Sequence, residues 1–141
     1  MKKFKKFSKL QFRWNEALGK PECPYAYRWV LNLSFITFRV HHFLRSDDKR
    51  YFHDHAWDFI TFILKGRYTD VSPEGKEEMT PGTVKYRKAE HPHYVDVHKD
   101  GCWTFVISFK PRRKWGFLVD GKFKRPLKYF HKFGHPPCDE Q

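Results

Sequence analysis

The sequence of 141 residues predicts an all-β fold, and three observations carry the prediction. Aromatic side chains make up 19% of the chain and fifteen of them are phenylalanine, which favours a sheet over a helical bundle. From Tyr25 onward, short β-branched and aromatic runs alternate with turn residues, and no helical period is sustained. Seven to nine such runs at regular spacing describe a barrel or a sandwich. The length suits one domain that buries roughly two-thirds of its unfolded surface.

Residues 1–24 read as a basic segment and connector. Lys2, Lys3, Lys5, Lys6, Lys9 and Arg13 fall here without an acid among the first fourteen residues, and Phe4, Phe7, Leu10 and Trp14 recur at a spacing that lines one helical face. Two readings fit: an arm that docks on phosphate or an acidic surface, or a terminal segment that the lysines merely solvate. Gly19 to Pro24 is turn-rich, so the ordered domain is expected to begin near Tyr25.

The domain of residues 25–121 then follows strand by strand. Ala26 to Leu33 and Ile36 to Leu44 are the first two runs, and 45–49 is a polar turn. Next comes HDHAWDFITFILKG, residues 53–66, which reads as a strand carrying a metal site. Successive strand side chains point to opposite faces, so His53 and His55 project together roughly 6–7 Å apart. Phe59 to Leu64 are strand formers without a polar break, and Lys65-Gly66 is the expected closing turn. Arg67 to Val71 is followed by the turn Ser72-Pro73-Glu74-Gly75-Lys76. In Thr83 to Lys88, Val84 and Tyr86 alternate with Lys85 and Arg87, which puts Tyr86 on the inward phase. His93 to Val97, Cys102 to Phe109 and Trp115 to Val119 complete the set, with turns at Lys99-Asp100-Gly101 and Asp120-Gly121. Residues 122–141 form a basic, proline-containing tail.

No apolar run approaches the roughly 20 residues of a membrane span, and the basic start leads into no signal-peptide core, so a cytoplasmic protein without a membrane partner is expected. Cys23, Cys102 and Cys138 are odd in number and scattered, which suggests neither a disulfide framework nor a CxxC knuckle. Cys102 reads as core; the other two stay unassigned. The net charge of +12 is compatible with nucleic acid, an acidic partner or a phosphorylated small molecule. Lys110, Arg112, Arg113 and Lys114, with Trp115 beside them, are the nucleic-acid candidates, although a solvated turn fits the same residues.

The motifs resemble those of the cupins, small jelly-roll β-barrels whose two motifs are G(X)5HXH(X)3,4E(X)6G and G(X)5PXG(X)2H(X)3N. His53, His55 and Gly66 match the first, and Gly82 with His93, eleven residues on, matches the second. Fifteen residues separate Gly66 from Gly82, a compact intermotif length. RSDDKRYFHDHAWDF, PGTVKYRKAEHPH, CWTF and PRRKWGF look like a group of small cupins of bacteria and their phages. Asp47, Phe59, Lys88, Glu90 and Val97 depart from the pattern, Phe59 standing where the family has its glutamate.

The resemblance implies a jelly-roll barrel with one divalent metal on His53, His55 and His93, and Asp58 as a fourth ligand only if a bulge turns it inward. His91 could add a second pair for a tetrahedral zinc site, whereas His41, His42 and His98 read as packed or surface residues, and His131 and His135 as tail. Without the carboxylate, the centre resembles the three-histidine iron centres of thiol dioxygenases, so Fe2+ comes first, with Zn2+, Ni2+ or Mn2+ also suited to imidazole. Arg39, Arg45, Trp57 and Tyr86 are the candidate substrate contacts, because arginine captures carboxylate or phosphate. The expected activity is dioxygenase-like or isomerase/epimerase chemistry on a small anionic molecule. The alternatives are a non-catalytic cupin holding a ligand or nucleotide, or a nucleic-acid or protein-binding factor using the basic ends. Pairing into a homodimer through edge strands is a further expectation.

Overall fold

The computed structural model describes residues 10–136 and Cys138. It contains nine strands and one helix among those residues: β1 (Gln11–Lys20), β2 (Cys23–Asn32), β3 (Ile36–Phe43), β4 (Phe59–Ser72), β5 (Gly75–Met79), β6 (Val84–Arg87), β7 (Tyr94–Phe109), β8 (Phe117–Val119), β9 (Lys122–Lys124) and α1 (Pro126–Phe133). The main sheet runs β1-β2-β3-β7-β4-β5, with β6 beside β5 on the edge of β4 away from β7, and β8 pairs β9 separately. Every pairing is antiparallel. Side chains from β1, β2, β3, β4 and β7 line one cavity, so the sheet curls around it.

The two longest strands build the wall on which the site rests. β4 and β7 pair along their length, with irregularities between Ile63 and Lys65 and between Gly66 and Tyr68. Lys65-Gly66 is therefore a bulge inside a continuous strand and not the expected closing turn, and Lys99-Asp100-Gly101 likewise lies within β7. Gly66 has φ 75°, and a Cβ there would collide with the Gly101 carbonyl. The glycine is what lets the two strands cross closely while they bend. Inward residues of these strands, Ile63, Tyr68, Val95 and Cys102, pack with Met79 of β5 against Phe43 and Val97. Cys102 is core, as its sequence setting suggested.

The ends depart furthest from expectation. The sheet begins at Gln11, well before Tyr25, and the supposed connector is the tight turn between β1 and β2. Trp14 sits on β1, edge-on to Trp29 at 6.3 Å, so strand pairing overrides the helical spacing. Phe4, Phe7 and the lysines up to Lys9 lie outside the described residues. At the other end the tail folds: Tyr129 of α1 is fully buried, stacks on Phe117 at 3.8 Å and donates its hydroxyl to Asp48 at 2.9 Å. Cys23 and Cys138, unassigned by sequence, form a disulfide with Cα atoms 5.8 Å apart. Their approach depends on where the C-terminal segment docks, which spacing alone does not encode. No helix among the described residues is long and apolar enough to cross a membrane.

Candidate metal centre

The histidine pair does not sit inside a regular strand. It lies in the extended segment before β4, where His53 makes isolated bridges to His93 and Phe117. The His53 and His93 amides each donate to the other's carbonyl at 2.9 Å, and the His55 amide donates to the Ala89 carbonyl at 2.9 Å. Asp54 clamps the same segment from outside: its carboxylate accepts the Gly116 amide at 2.8 Å and pairs with Arg113 at 2.5 Å. Alternation then throws His53 and His55 inward together, as expected from the sequence.

The three rings converge. Centroid separations are 5.2 Å for His53 and His55, 4.8 Å for His53 and His93, and 5.0 Å for His55 and His93. One ligating atom from each lies within 4.8 Å of the others. His93 Nδ1 donates to Asp70 at 2.8 Å, which leaves Nε2 buried with no hydrogen-bond partner among the described residues, and His55 Nδ1 is in the same condition. Burial, reinforced by the neighbouring His93, pushes His53 and His55 well below the usual imidazole pKa, so both stay neutral. Neutral, convergent and partly unpartnered imidazoles are the donor set that a divalent ion requires.

Asp70 was not singled out by sequence, although it sits on the inward phase of β4 with Tyr68. Burial favours its neutral form, but hydrogen bonds from His91 and His93 and the charge of Arg87 prevail and hold it far below the carboxylate range. One oxygen takes His93 and the other takes His91 at 3.2 Å. Asp70, His91 and His93 form a second cluster within 4.8 Å, but it is assembled by these hydrogen bonds and shares His93 with the first. Its geometry is that of a carboxylate orienting a ligand histidine from behind. Asp70→Asn keeps the size but offers one acceptor where two are needed. It is expected to weaken metal binding by roughly 10–100-fold with the fold retained, as read by competition against a chelating dye.

The remaining sequence candidates divide. Arg39 and Trp57 line the cavity, with the guanidinium carbon 4.5 Å from the Trp57 ring centre, and that ring lies 5.2 Å from His55. Asp58 faces away: its carboxylate binds Arg112 at 2.7 Å and accepts the Ala89 amide at 2.8 Å, so no bulge turns it toward the histidines. Arg45 is spent on the Cys138 carbonyl at 2.9 Å and does not line the cavity. Tyr86 is 56% exposed, because the inner face of β6 carries Lys85 and Arg87 toward Glu77 and Asp70. In the basic run, Arg112 pairs with Asp58 and Glu90 and Arg113 with Asp54, leaving Lys110 and Lys114 exposed. Asp47, Tyr25, Arg28 and Thr104 also stand on the cavity wall without having been read as site residues, and His41, read as a packed or surface residue, stacks on Phe43 at 5.1 Å and lines the cavity as well.

His41 is expected to make the metal-free fold acid-labile. Burial first, then repulsion from Arg39 and Arg28, lowers its pKa to about 3. The unfolded chain takes up a proton near pH 6.5 while the folded one resists, so stability is lost as pH falls through that value, by about 2 kcal/mol at pH 5. His53 and His55 act in the same direction. Asp47, whose carboxyl burial raises well above its usual range, opposes them. Three histidines against one carboxyl leave a net loss, expected as a lower Tm at pH 5 than at pH 7 in chelator-treated protein. An unchanged or higher Tm at pH 5 would contradict it.

No family model matches the chain, and no curated protein sequence matches it. Solved structures do. The polyketide cyclase RemF from Streptomyces resistomycificus aligns over 86% of this chain and 87% of its own, with TM-score 0.60 and 16% identity. KdgF from Halomonas sp. aligns over 73% of this chain and 89% of its own, with TM-score 0.52 and 18% identity. The Fe(II) form of HppE matches at TM-score 0.55 and 14% identity over 71% of this chain, which spans only 56% of HppE. The fold is that of the cupins. At these identities the likeness establishes the cupin architecture alone, and chemistry must be argued from the side chains.

Proposed function

We propose that this cupin is a metal-dependent enzyme that binds one divalent ion through His53, His55 and His93 and acts on a small anionic molecule, with dioxygenase-like chemistry as the first assignment. The observation that carries the reading is His93 Nε2, buried without a partner among the described residues, backed by Asp70 and aimed at two neutral imidazoles. In a solved neighbour, HppE, the cupin fold houses Fe(II), which supports iron as the first metal to test.

Held by the three neutral nitrogens of His53, His55 and His93, a divalent ion would supply Lewis acidity and, as iron, the redox capacity that oxygenation needs. The protein's own side chains do the rest. Asp70 fixes the His93 ring and its tautomer. Arg39 stays cationic, although burial and nearby Arg28 lower its pKa to about 10, and it has no carboxylate partner among the described residues. A substrate anion supplies the missing charge. Trp57 lies between that guanidinium and His55 and, with Phe59, keeps the connection between anion site and ligands apolar.

Elemental analysis of protein purified without a histidine tag, anaerobically and with iron, zinc, nickel or manganese supplied, tests the reading. About one equivalent of a single metal supports it, to be followed by oxygen-consumption and isomerase screens. No metal under any supplement sinks it.

A further inference from the structure

Apart from the three histidines, the cavity wall carries a pair of polar groups that neither the ligand set nor the fold's hydrogen bonds use. His41 on β3 and Thr104 on β7 are direct cross-strand partners, so their side chains stand side by side on the inner face. Both line the cavity of about 380 Å³. His41 Nδ1 and Thr104 Oγ1 are both buried, and neither has a hydrogen-bond partner among the described residues. Thr104 is 1% exposed. A buried polar atom left unpaired costs about 1–3 kcal/mol, so two of them on neighbouring residues of one cavity wall favour a ligand group that can pair with them. The ring of His41 is neutral, and a neutral imidazole beside a hydroxyl suits an uncharged oxygen better than a second anion. Arg39 lies two residues from His41 on the same face of β3, roughly 6–7 Å along the strand.

We infer that the substrate is a small acid bearing a hydroxyl or carbonyl group close to its carboxylate, with Arg39 holding the carboxylate while His41 and Thr104 recognise the second oxygen. This rests on the cavity being the substrate site. Phe43, Phe59, Val95 and Val106 also line the cavity, beside the polar Tyr25, Arg28, Asp47 and Thr61, and give an apolar or aromatic body on the acid a surface to pack against.

The test uses two matched probe pairs: mandelate against phenylacetate, and 3-hydroxy-3-phenylpropanoate against 3-phenylpropanoate. Binding is measured calorimetrically on chelator-treated protein, so that chelation of a hydroxy acid by metal cannot mimic the effect. In at least one pair the hydroxylated member is expected to bind at least about tenfold more tightly. Thr104→Val, which removes the hydroxyl and keeps the shape, should abolish that preference while Tm stays level or rises, because the hydroxyl supports nothing in the fold. Lack of binding, equal binding within both pairs, a preference that survives Thr104→Val, or a fall in Tm in that variant would each overturn the inference. Metal content measured on the same preparations before chelator treatment separates the two readings. Preference in a protein that takes no metal leaves the recognition pair standing and removes the metal centre, and metal without preference does the reverse.

Discussion

His93→Ala is expected to reduce metal content from about one equivalent to background, a loss of affinity exceeding the roughly 100-fold that removal of an outer partner can cause. Two effects add. The substitution deletes the nitrogen that converges with His53 and His55, leaving two imidazoles that the short extended segment holds alone. It also frees Asp70, whose carboxylate keeps His91 and Arg87 but loses its buried donor. His53→Ala should lose the metal as well, without disturbing Asp70. His98→Ala is the control: that ring is partly exposed, 3.5 Å from Glu78, and belongs to neither cluster. Circular dichroism distinguishes ligand loss from unfolding. Retention of metal by folded His93→Ala protein would remove the three-histidine assignment, and equal loss in His98→Ala would mean that the measured ion is adventitious.

The shared face of His53 and His55 was legible in the sequence because it depends on local geometry, whereas His93 was reached through its resemblance to the second cupin motif. Two histidines one residue apart need only an extended backbone to share a face, and the glycines at their offsets mark the bends that return the chain to them. Groups placed by long-range pairing were not legible. Tyr86 and Val84 look like the inward face of β6 by polarity, yet register with β4 sets Tyr86 opposite Ile60 on the outside. The inner rim is polar there, since Lys85 and Arg87 answer Glu77 and Asp70. Asp58 behaved as strand phase required, and an arginine more than fifty residues away holds it outward. Asp70 could have been flagged as an acid on the inward phase of an apolar strand, whereas nothing local marks Cys23 and Cys138 as partners.

Gly66→Ala is expected to be the most damaging single-methyl change, costing about 3 kcal/mol or more in stability. A left-handed backbone strains any residue with a Cβ by about 1–2 kcal/mol, and φ 75° lies in that region. Here the added methyl also meets the Gly101 carbonyl and comes within 3.0 Å of the Cys102 Cα, both on the backbone of β7. Neither can swing aside as a flexible side chain would, so β4 and β7 must separate where they are bent closest. Gly121→Ala isolates the first effect, since φ is 77° there and nothing lies within 4 Å of where its methyl would stand. Denaturant midpoints should therefore fall modestly for Gly121→Ala and much further for Gly66→Ala. Equal shifts would show that the strands yield at no cost and that the glycine answers only to backbone conformation. The consequence reaches the site, because β7 carries Thr104 and Val106 on the cavity wall and follows directly from His93. Gly66→Ala protein that still folds should hold its metal more weakly, although the substituted residue is none of the ligands.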